Sequence, residues 1–347
     1  MPHYDSYHSF QTKRSMEQKK RAKEKSFRSK KHLPRDFMIS QAKEYGIVIE
    51  VRYHDASILY SGQVVLAKLR SDMNFACNQI LLPGDKVVLN EVHNKYYVQN
   101  LIKRSTILSR LKKDRTKLED VGMVKNIAAN IDVALLVVSA KEPPLHAKFI
   151  DRYLLVLQNS KIPTILCLNK CEQKTSYEDT VLDVYRNLGI PVVETSTYER
   201  TGIAELKQYL LGKQAILVGN SGVGKSSLIN VLMDEEEAKT SHIGEKSKRG
   251  RHTTTMSKYY VWNTNSSVID TPGIRSLDVS SFSANEIQDY FPEFHEWKKS
   301  CKYRNCLHYN EPYSDCMVKQ QVINGNINQD RYESYVKMIR DYFGDHQ

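Results

Sequence analysis

One short segment of the chain has the residue types and the spacing that bind nucleotide phosphates. It reads Gly219-Asn220-Ser221-Gly222-Val223-Gly224-Lys225-Ser226 and fits the pattern G-x4-G-K-[ST]. Its glycines let the backbone curl so that successive N–H groups point at phosphate oxygens. Lys225 is then expected to bridge the β- and γ-phosphates, and the Ser226 hydroxyl to bind Mg2+. We assign nucleotide contacts to Gly219, Asn220, Ser221, Gly222, Val223, Gly224, Lys225, Ser226 and Ser227.

A second motif supplies the magnesium chemistry of the same site. Asp270-Thr271-Pro272-Gly273 comes at the end of an apolar run and fits the Asp-x-x-Gly pattern of GTPases. Asp270 is expected to hold Mg2+ through a water molecule, and the Gly273 N–H to meet the γ-phosphate. The two motifs together predict one magnesium–nucleotide site.

The charged residues 235–251 between these motifs have the composition of a switch loop. Such a loop brings a threonine onto the metal when the γ-phosphate is present and releases it after hydrolysis. A merely solvated loop would explain the charges but not the cluster of threonines that follows. The candidate ligands of the metal are Thr253 and Thr254, and Arg251 is a candidate phosphate contact.

Two residues bear on how the attacking water is positioned. Many GTPases place a glutamine directly after Asp-x-x-Gly, but this chain has Ile274, whose side chain cannot orient water. We therefore predict slow intrinsic hydrolysis that a partner stimulates. His252 either positions the water or packs the switch loop. The candidate catalytic set is Lys225, His252 and Thr254.

Four residues earlier in the chain match the guanine-reading element Asn-Lys-x-Asp with one change. They are Asn169-Lys170-Cys171-Glu172, so a glutamate, one methylene longer, replaces the usual aspartate. A carboxylate at this position accepts the N1–H and N2–H donors of guanine, a pair that adenine lacks. In an ordinary GTPase the phosphate loop comes first, whereas here the guanine motif precedes it by 50 residues. This order predicts a circularly permuted domain that uses GTP and GDP.

Three cysteines and one histidine form a metal-ligand pattern in the C-terminal part of the chain. Cys301, Cys306, His308 and Cys316 have the spacing C-x4-C-x-H-x7-C. Three thiolates and one imidazole complete a tetrahedral Zn2+ site with no open position, which is the arrangement of a structural zinc. Chance clustering of reduced cysteines is the alternative.

Short β-rich segments precede the nucleotide motifs and are separated by turns that contain glycine or asparagine. Five such strands within ~60 residues, without a helical pattern, are typical of a small closed barrel. An oligonucleotide-binding (OB) barrel is favoured, and an SH3-like barrel gives a similar pattern. The predicted strands are 46–53, 58–60, 63–69, 86–89 and 96–102, and the charged residues 105–126 are predicted to be a connector.

Continuous apolar runs then alternate with helical patterns, as in an α/β domain built on a parallel sheet. The runs are 131–138, 163–168, 191–193, 215–218 and 268–269, and the helical patterns are 149–158, 180–188, 203–211 and 226–233. Near the C-terminus an apolar stripe has helical spacing, and such a stripe is more often core packing than a partner site. Its members are Tyr332, Tyr335, Val336, Ile339, Tyr342 and Phe343.

The predicted architecture is a multidomain α/β protein with four consecutive regions. Its nucleotide motifs and magnesium ligands all belong to the third region, and its zinc ligands belong to the fourth. The regions are a basic disordered tail at 1–40, an OB-type β-barrel at 41–105, a circularly permuted P-loop GTPase domain with a parallel α/β sheet at 106–282, and a helical zinc-binding domain at 283–347.

The net charge of +11 is concentrated near the N-terminus. Residues 1–36 hold 11 Lys or Arg against 4 Asp or Glu, a net +7, which leaves +4 for the other 311 residues. Its part from Lys13 to Lys31 has almost no large apolar residues and cannot bury enough surface to fold. It is either a solvated, disordered tail or an arm that binds nucleic-acid phosphates. No run approaches the ~20 apolar residues that span a bilayer, and the polar N-terminus has no signal-peptide core. We therefore expect a cytoplasmic protein without membrane contact.

Together these residues resemble the RsgA (YjeQ-type) family of permuted GTPases over residues 45–343. The likeness also includes Ala129-Asn130-Ile131-Asp132, Phe291-Pro292-Glu293 and Tyr332-Glu333-Ser334-Tyr335. The resemblance implies an OB domain, a permuted G domain and a zinc-binding domain clamped on the small ribosomal subunit near its decoding region. It also implies that the subunit stimulates GTP hydrolysis, which releases late assembly factors and then the protein itself. We expect a monomer that contacts the rRNA.

Three functions are compatible with parts of the pattern. The leading one is a GTPase that acts as a late assembly checkpoint on the small (30S) ribosomal subunit. Glu172 and Ile274 favour a non-catalytic RNA-binding scaffold, whereas the intact Lys225, Ser226 and Asp270 oppose it. A permuted GTPase of the large subunit is disfavoured because the zinc motif follows the G domain.

Overall fold

The computed structural model of the protein describes residues 45–52, 54–69, 80–112, 123–234, 258–263, 265–270, 279 and 282–343. Three predicted features lie outside these ranges. They are the basic tail, the switch loop with Arg251, His252, Thr253 and Thr254, and Gly273 with Ile274. The predictions made for them stay predictions.

Five strands close into a barrel and confirm the fold predicted for this part of the chain. They are β1 (Gly46–Val51), β2 (Asp55–Tyr60), β3 (Gln63–Lys68), β4 (Lys86–Val92) and β5 (Lys95–Leu101). The strand order is β1-β2-β3-β5-β4, β1 pairs with β4 to close the barrel, and β3 runs parallel to β5. Successive side chains of a strand project to opposite faces, so alternate residues fill the interior. This arrangement is an OB-type barrel.

The connector predicted for residues 105–126 is wrong, because this segment forms an antiparallel ribbon. Its strands are β6 (Ile107–Lys112) and β7 (Met123–Ala129). Leu108 and Ala128 are fully buried at the base of the ribbon, where it meets the core of the next domain. A two-stranded ribbon needs no apolar face along its whole length, so charged residues concealed the strand period from the sequence-based prediction.

A six-stranded sheet carries the predicted nucleotide motifs. Its strands are β8 (Val133–Ser139), β9 (Thr164–Asn169), β10 (Val192–Thr195), β11 (Gln214–Val218), β12 (Lys258–Asn263) and β13 (Ser266–Asp270). The spatial order is β10-β9-β8-β11-β13-β12. The first five strands are parallel, as predicted, and β12 adds an antiparallel edge that the sequence did not reveal.

Helices cover both faces of this sheet. On one face pack α1 (Ala147–Asn159) and α2 (Ser176–Asn187), and on the other pack α3 (Ile203–Leu210) and α4 (Lys225–Asp234). Strand β8 supplies alternate residues to the two cores, Ala134, Leu136 and Val138 to the first and Val133, Leu135 and Val137 to the second. Every residue of β8 is buried, which explains the uninterrupted apolar run.

The barrel contacts the sheet at the turn before β4. Gly84 O accepts a hydrogen bond from Asn130 Nδ2 at 3.0 Å, and the Ala129 N–H donates to Pro83 O at 3.0 Å. A Cβ on Gly84 would lie 2.3 Å from Ala129 O and 2.5 Å from Gln214 Nε2. The absence of a side chain at Gly84 therefore lets the barrel approach the starts of β8 and β11.

The C-terminal region is helical, as predicted. It contains α5 (Ala284–Asp289), α6 (Met317–Ile323) and α7 (Gln329–Phe343), and α7 packs on α1. In the predicted stripe of α7, Tyr335 and Ile339 are buried, whereas Tyr342 and Phe343 are exposed. Within the described ranges no helix has both the length and the apolar character that crossing a bilayer requires.

A buried ion-pair network joins α7 to α1. Arg331 Nη1 lies 2.5 Å from Asp151 Oδ1, and Arg331 Nε lies 2.7 Å from Glu293 Oε1. Tyr185 on α2 donates to Asp151 Oδ1 at 2.8 Å, and the Phe291 ring centroid lies 4.4 Å from the guanidinium. Burial raises the pKa of the Asp151 carboxyl, and the charge of Arg331 opposes that shift. Each ion needs the other, because an unpaired buried charge is strongly destabilising.

Replacing Arg331 by glutamine should lower the free energy of unfolding by about 3–5 kcal/mol, because Asp151 then stays buried without a counter-charge. The measurement is urea unfolding followed by the fluorescence of Trp297. Replacing Trp262 by phenylalanine in every variant leaves Trp297 as the single reporter, since the chain has two tryptophans.

Glu333→Gln is the matched control for this measurement. The Lys148–Glu333 pair joins the same two helices at 3.0 Å, but its side chains are 54% and 46% exposed. An exposed ion pair contributes less than about 1 kcal/mol. Equal losses in the two variants would contradict the role assigned to burial.

Candidate nucleotide and zinc sites

The ends of four neighbouring parallel strands bring the predicted nucleotide residues to one edge of the sheet. β9 ends at Asn169, β8 ends at Ser139, β11 leads into Gly219, and β13 ends at Asp270. Ser139 pairs with Asn169, and Leu217 pairs with Asp270, so neighbouring strands end nearly level. In parallel α/β sheets, ligands bind outside the carboxyl ends of the strands.

The phosphate loop lies between β11 and α4, which is the strand–loop–helix setting that its pattern requires. Gly219 has φ +146°, and a Cβ there would lie 2.3 Å from Val137 O, so the chain passes β8 without room for a side chain. Lys225 Nζ donates to Gly219 O at 2.8 Å and to Asn220 O at 2.6 Å. The ammonium group therefore lies against the loop to which the motif assigns phosphate.

The guanine loop and the phosphate loop are in direct contact. Asn169 Nδ2 donates to Val223 O at 3.0 Å, and a Cβ on Gly224 would lie 2.1 Å from the same nitrogen. The Thr195 hydroxyl donates to Asn169 Oδ1 at 3.3 Å, which orients the amide. Asn169 and Thr195 are both buried. The structure thus joins two motifs that the sequence separates.

Lys170 bonds to a turn that the sequence did not mark. Its backbone is left-handed, with φ +58°, and its Nζ donates to Glu142 O at 2.6 Å and to Lys141 O at 3.2 Å. These two residues belong to a turn directly after β8. The contact uses backbone carbonyls, which every residue type has, so no sequence signal could have revealed it.

The other two residues of the guanine motif lie in a short 3-10 helix, Cys171–Gln173. Cys171 Sγ lies 3.8 Å from the Thr201 hydroxyl. Glu172 is exposed and accepts a hydrogen bond from the Gln173 amide at 3.3 Å. The Glu172 carboxylate is therefore at the surface, where a base can reach it.

The residues predicted to bind Mg2+ lie in the segments that follow two paired strands. Ser226 is exposed in the first turn of α4, and Asp270 ends β13, which pairs with β11. A hydroxyl and a carboxylate are oxygen donors of the kind that Mg2+ prefers, and they leave positions for water and phosphate. This donor set fits the metal. The remaining predicted contacts, Thr253, Thr254 and Gly273, lie outside the described residues, as does His252.

The structure brings together the four predicted zinc ligands, Cys301, Cys306, His308 and Cys316. Their ligand atoms lie within 4.8 Å of one another, and His308 Nδ1 lies 3.6, 3.2 and 3.4 Å from the three sulfur atoms in chain order. Zn–S bonds of ~2.3 Å and Zn–N bonds of ~2.0 Å at the tetrahedral angle require S–N separations of about 3.5 Å. The donors therefore fit one tetrahedral Zn2+ bound through Nδ1.

Side chains other than the four predicted ligands bond to the loop at residues 301–316, here called the zinc loop. The Glu311 carboxylate accepts the Leu307 N–H at 2.7 Å. From α7, Tyr332 donates to His308 O at 2.8 Å, and Tyr335 donates to Leu307 O. Burial lowers the pKa of His308 to about 4, so its imidazole is neutral near pH 7 and Nδ1 can bind a metal. The sequence marked both tyrosines as core residues but not as partners of this loop.

A guanine motif and a phosphate loop that meet on one sheet in permuted chain order define a circularly permuted GTPase. Two solved structures share this fold. YjeQ from Thermotoga maritima is 29% identical with a TM-score of 0.65, and the match covers 87% of this chain and 99% of that chain. YloQ, a circularly permuted GTPase, is 26% identical with a TM-score of 0.62, and the match covers 89% and 98%.

The family of the chain follows from its sequence relatives. The sequence model of the RsgA GTPase family matches residues 101–280. The small ribosomal subunit biogenesis GTPase RsgA of Thermotoga petrophila is 34% identical over 291 residues, which cover 82% of this chain and 91% of that protein. Its counterpart in Flavobacterium psychrophilum is 38% identical over 220 residues, which cover 61% and 66%. The chain belongs to the RsgA GTPase family.

Metal analysis of the purified protein should find one zinc per chain, and Cys316→Ser should lose it, because three donors no longer close a tetrahedral site. Unfolding of the C-terminal region should then occur at a lower temperature. Cys171→Ser is the control, since Cys171 lies outside the cluster. Zinc-free wild-type protein, or equal zinc loss in the two variants, would refute the assignment.

Gly224→Ala should weaken GDP binding by about tenfold or more, which is ~1.4 kcal/mol, because the new Cβ collides with Asn169 Nδ2. Gly212→Ala is the matched control. Gly212 also has a positive φ, +71° against +95° for Gly224, but nothing lies within 4 Å of a Cβ there. Titration with a fluorescent GDP analogue measures the Kd of both variants. Similar losses in the two variants would mean that backbone strain, not the collision, weakens binding.

Proposed function

We propose that the protein is a GTP hydrolase of small ribosomal subunit biogenesis, which binds the small subunit and its rRNA and acts as a late assembly checkpoint. The names of its relatives support the ribosomal role. The observation that carries the nucleotide role is the hydrogen bond from Asn169 to Val223, because it joins a guanine-reading loop to a phosphate loop. We further propose a monomer that acts in the cytoplasm, where the subunit is assembled.

The proposed reaction is attack of water on the γ-phosphorus of GTP. The water oxygen bonds to phosphorus, and the bond to the bridging oxygen of the β-phosphate breaks. One water proton stays on the inorganic phosphate, the other passes to solvent, and GDP and phosphate leave. Asn169, Lys170 and Glu172 hold the guanine, while Lys225 and the N–H groups of its loop neutralise charge on the phosphoryl oxygens. Ser226 and Asp270 would hold Mg2+, which would further neutralise the charge on the phosphoryl oxygens.

The proposed need for a partner follows from the residue after Asp-x-x-Gly. Ile274 stands where a glutamine commonly orients the water. We assign water positioning to His252 and metal binding to Thr253 or Thr254, and we propose that the subunit stimulates hydrolysis. Slow hydrolysis in solution and fast hydrolysis on the subunit would make GTP a timer for release.

Exposed basic side chains on both sides of the GTPase domain supply the proposed rRNA contacts. Lys68 on β3 is exposed, as are Lys299 and Arg304 beside the zinc ligands. Basic residues bind phosphates and release counterions, and the net charge of +11 favours such a partner. The proposed domains are a tail at 1–40, the OB barrel at 41–105, the GTPase domain at 106–282 and the zinc domain at 283–347.

Hydrolysis of GTP and of ATP by the purified protein, alone and with isolated ribosomal subunits, tests the proposal. We expect slow GTP turnover that small subunits raise by about tenfold or more, as a partner that completes a GTPase site does. Large subunits should have no effect. Lys225→Ala should lower turnover by about a hundredfold, because it removes a charge that acts in the transition state, and the variant should remain folded.

Each of the other outcomes contradicts a particular part of the proposal. A lack of stimulation by either subunit favours the non-catalytic scaffold, and stimulation by large subunits contradicts the proposed partner. Equal use of ATP would mean that Glu172 does not select guanine. Turnover that survives Lys225→Ala would show that the phosphate loop is not the catalytic site.

A further inference from the structure

The turn at residues 141–144, directly after β8, lies beside both loops of the nucleotide site and bonds to one of them. On one side, Lys170 Nζ donates to Glu142 O at 2.6 Å and to the preceding carbonyl at 3.2 Å. On the other side, Pro143 Cδ lies 3.5 Å from the position of a Cβ on Gly222 in the phosphate loop. The turn thus lies between the two loops, as β8 lies between β9 and β11.

One buried hydroxyl holds this turn. Ser139, the last residue of β8, is 1% exposed and donates through Oγ to Pro143 O at 2.7 Å. Glu142 has φ +52°, a left-handed conformation that is unfavourable for a residue with a side chain, so the turn depends on bonds from outside. The strand end is fixed, because the Ala140 N–H donates to Asn169 O at 3.1 Å.

We propose that Ser139 is a positioning residue for guanine nucleotides. Its hydroxyl holds the 141–144 turn, and the turn holds the Lys170 side chain in its binding geometry. This inference rests on the proposed function, because it concerns the same GTP site. It adds a residue that does not itself touch the nucleotide.

The expected effect is on affinity and not on the chemical step. A lysine side chain has many rotamers, and two carbonyl acceptors restrict it before the nucleotide arrives. When the turn is released, binding must restore that order, so Kd and KM rise. Once the nucleotide is bound the geometry is the same, so kcat changes little.

Three substitutions of Ser139 separate the hydroxyl from the size of the side chain. Ser139→Ala removes the donor, Ser139→Cys supplies a weaker one, and Ser139→Thr keeps the hydroxyl. With a fluorescent GDP analogue, we expect Kd to rise by about tenfold for alanine, by less for cysteine and by under about twofold for threonine. Basal kcat should stay within about twofold of the wild type in all three.

Ser160→Ala is the matched control for loss of a serine–carbonyl bond. Ser160 Oγ donates to Val156 O at 2.9 Å at the C-terminal end of α1, away from both nucleotide loops. We expect its Kd for GDP to equal that of the wild type. An equal rise in Kd for Ser160→Ala and Ser139→Ala would overturn the proposal.

A double-mutant cycle with Lys170→Met tests whether Ser139 acts through the lysine. If it does, adding Ser139→Ala to Lys170→Met should raise Kd by less than about twofold, because residues of one network are not additive. If the two substitutions raise Kd by independent factors that multiply in the double variant, the proposal is overturned. It is also overturned if Kd is unchanged in both Ser139→Ala and Ser139→Cys. If the alanine variant does not fold, the comparison of cysteine with threonine decides. A wild-type protein that binds no GDP would instead overturn the proposed function.

Discussion

The predicted nucleotide site depends on one close approach, that of the Asn169 side chain to the backbone at Gly224. The hydrogen bond to Val223 O is possible because residue 224 has no side chain, and a Cβ there would lie 2.1 Å from the amide nitrogen. The geometry requires only that β9, β8 and β11 be neighbours with level ends. It does not depend on which strand comes first along the chain. A permuted domain therefore keeps the same site.

The motifs could be predicted because each carries its own signal. The phosphate loop, the guanine motif and the zinc ligands are defined by residue type and spacing, and the buried strands by unbroken apolar runs. Contacts that use backbone carbonyls, such as those of Lys170 with the 141–144 turn, leave no such signal. The ribbon of β6 and β7 was missed for a related reason, since a ribbon that meets the core only at its base need not alternate apolar with polar residues along its length.

Helix α7 shows how one element can serve two sites that the sequence treats separately. Arg331 in its first turn pairs with Asp151 of α1, and Tyr332 and Tyr335 bond to carbonyls of the zinc loop. The apolar stripe in the sequence indicated a buried face of α7, but it did not indicate the ion pair of Arg331 or the hydrogen bonds of the two tyrosine hydroxyls. An ion pair between residues so far apart along the chain leaves no local pattern in the sequence. Through these bonds α7 contacts both α1 of the nucleotide domain and the loop that carries the predicted zinc ligands.

The Arg331–Asp151 pair also bears on when the domain can finish folding during translation. The two residues are 180 positions apart, so at ~5–20 residues per second a ribosome makes Asp151 roughly 10–40 s before its partner. During that time the carboxylate that α1 is to bury has no counter-charge. By the end of that time the nascent domain contains both nucleotide loops but not the helix that completes its core. Its final packing therefore waits for translation of α7.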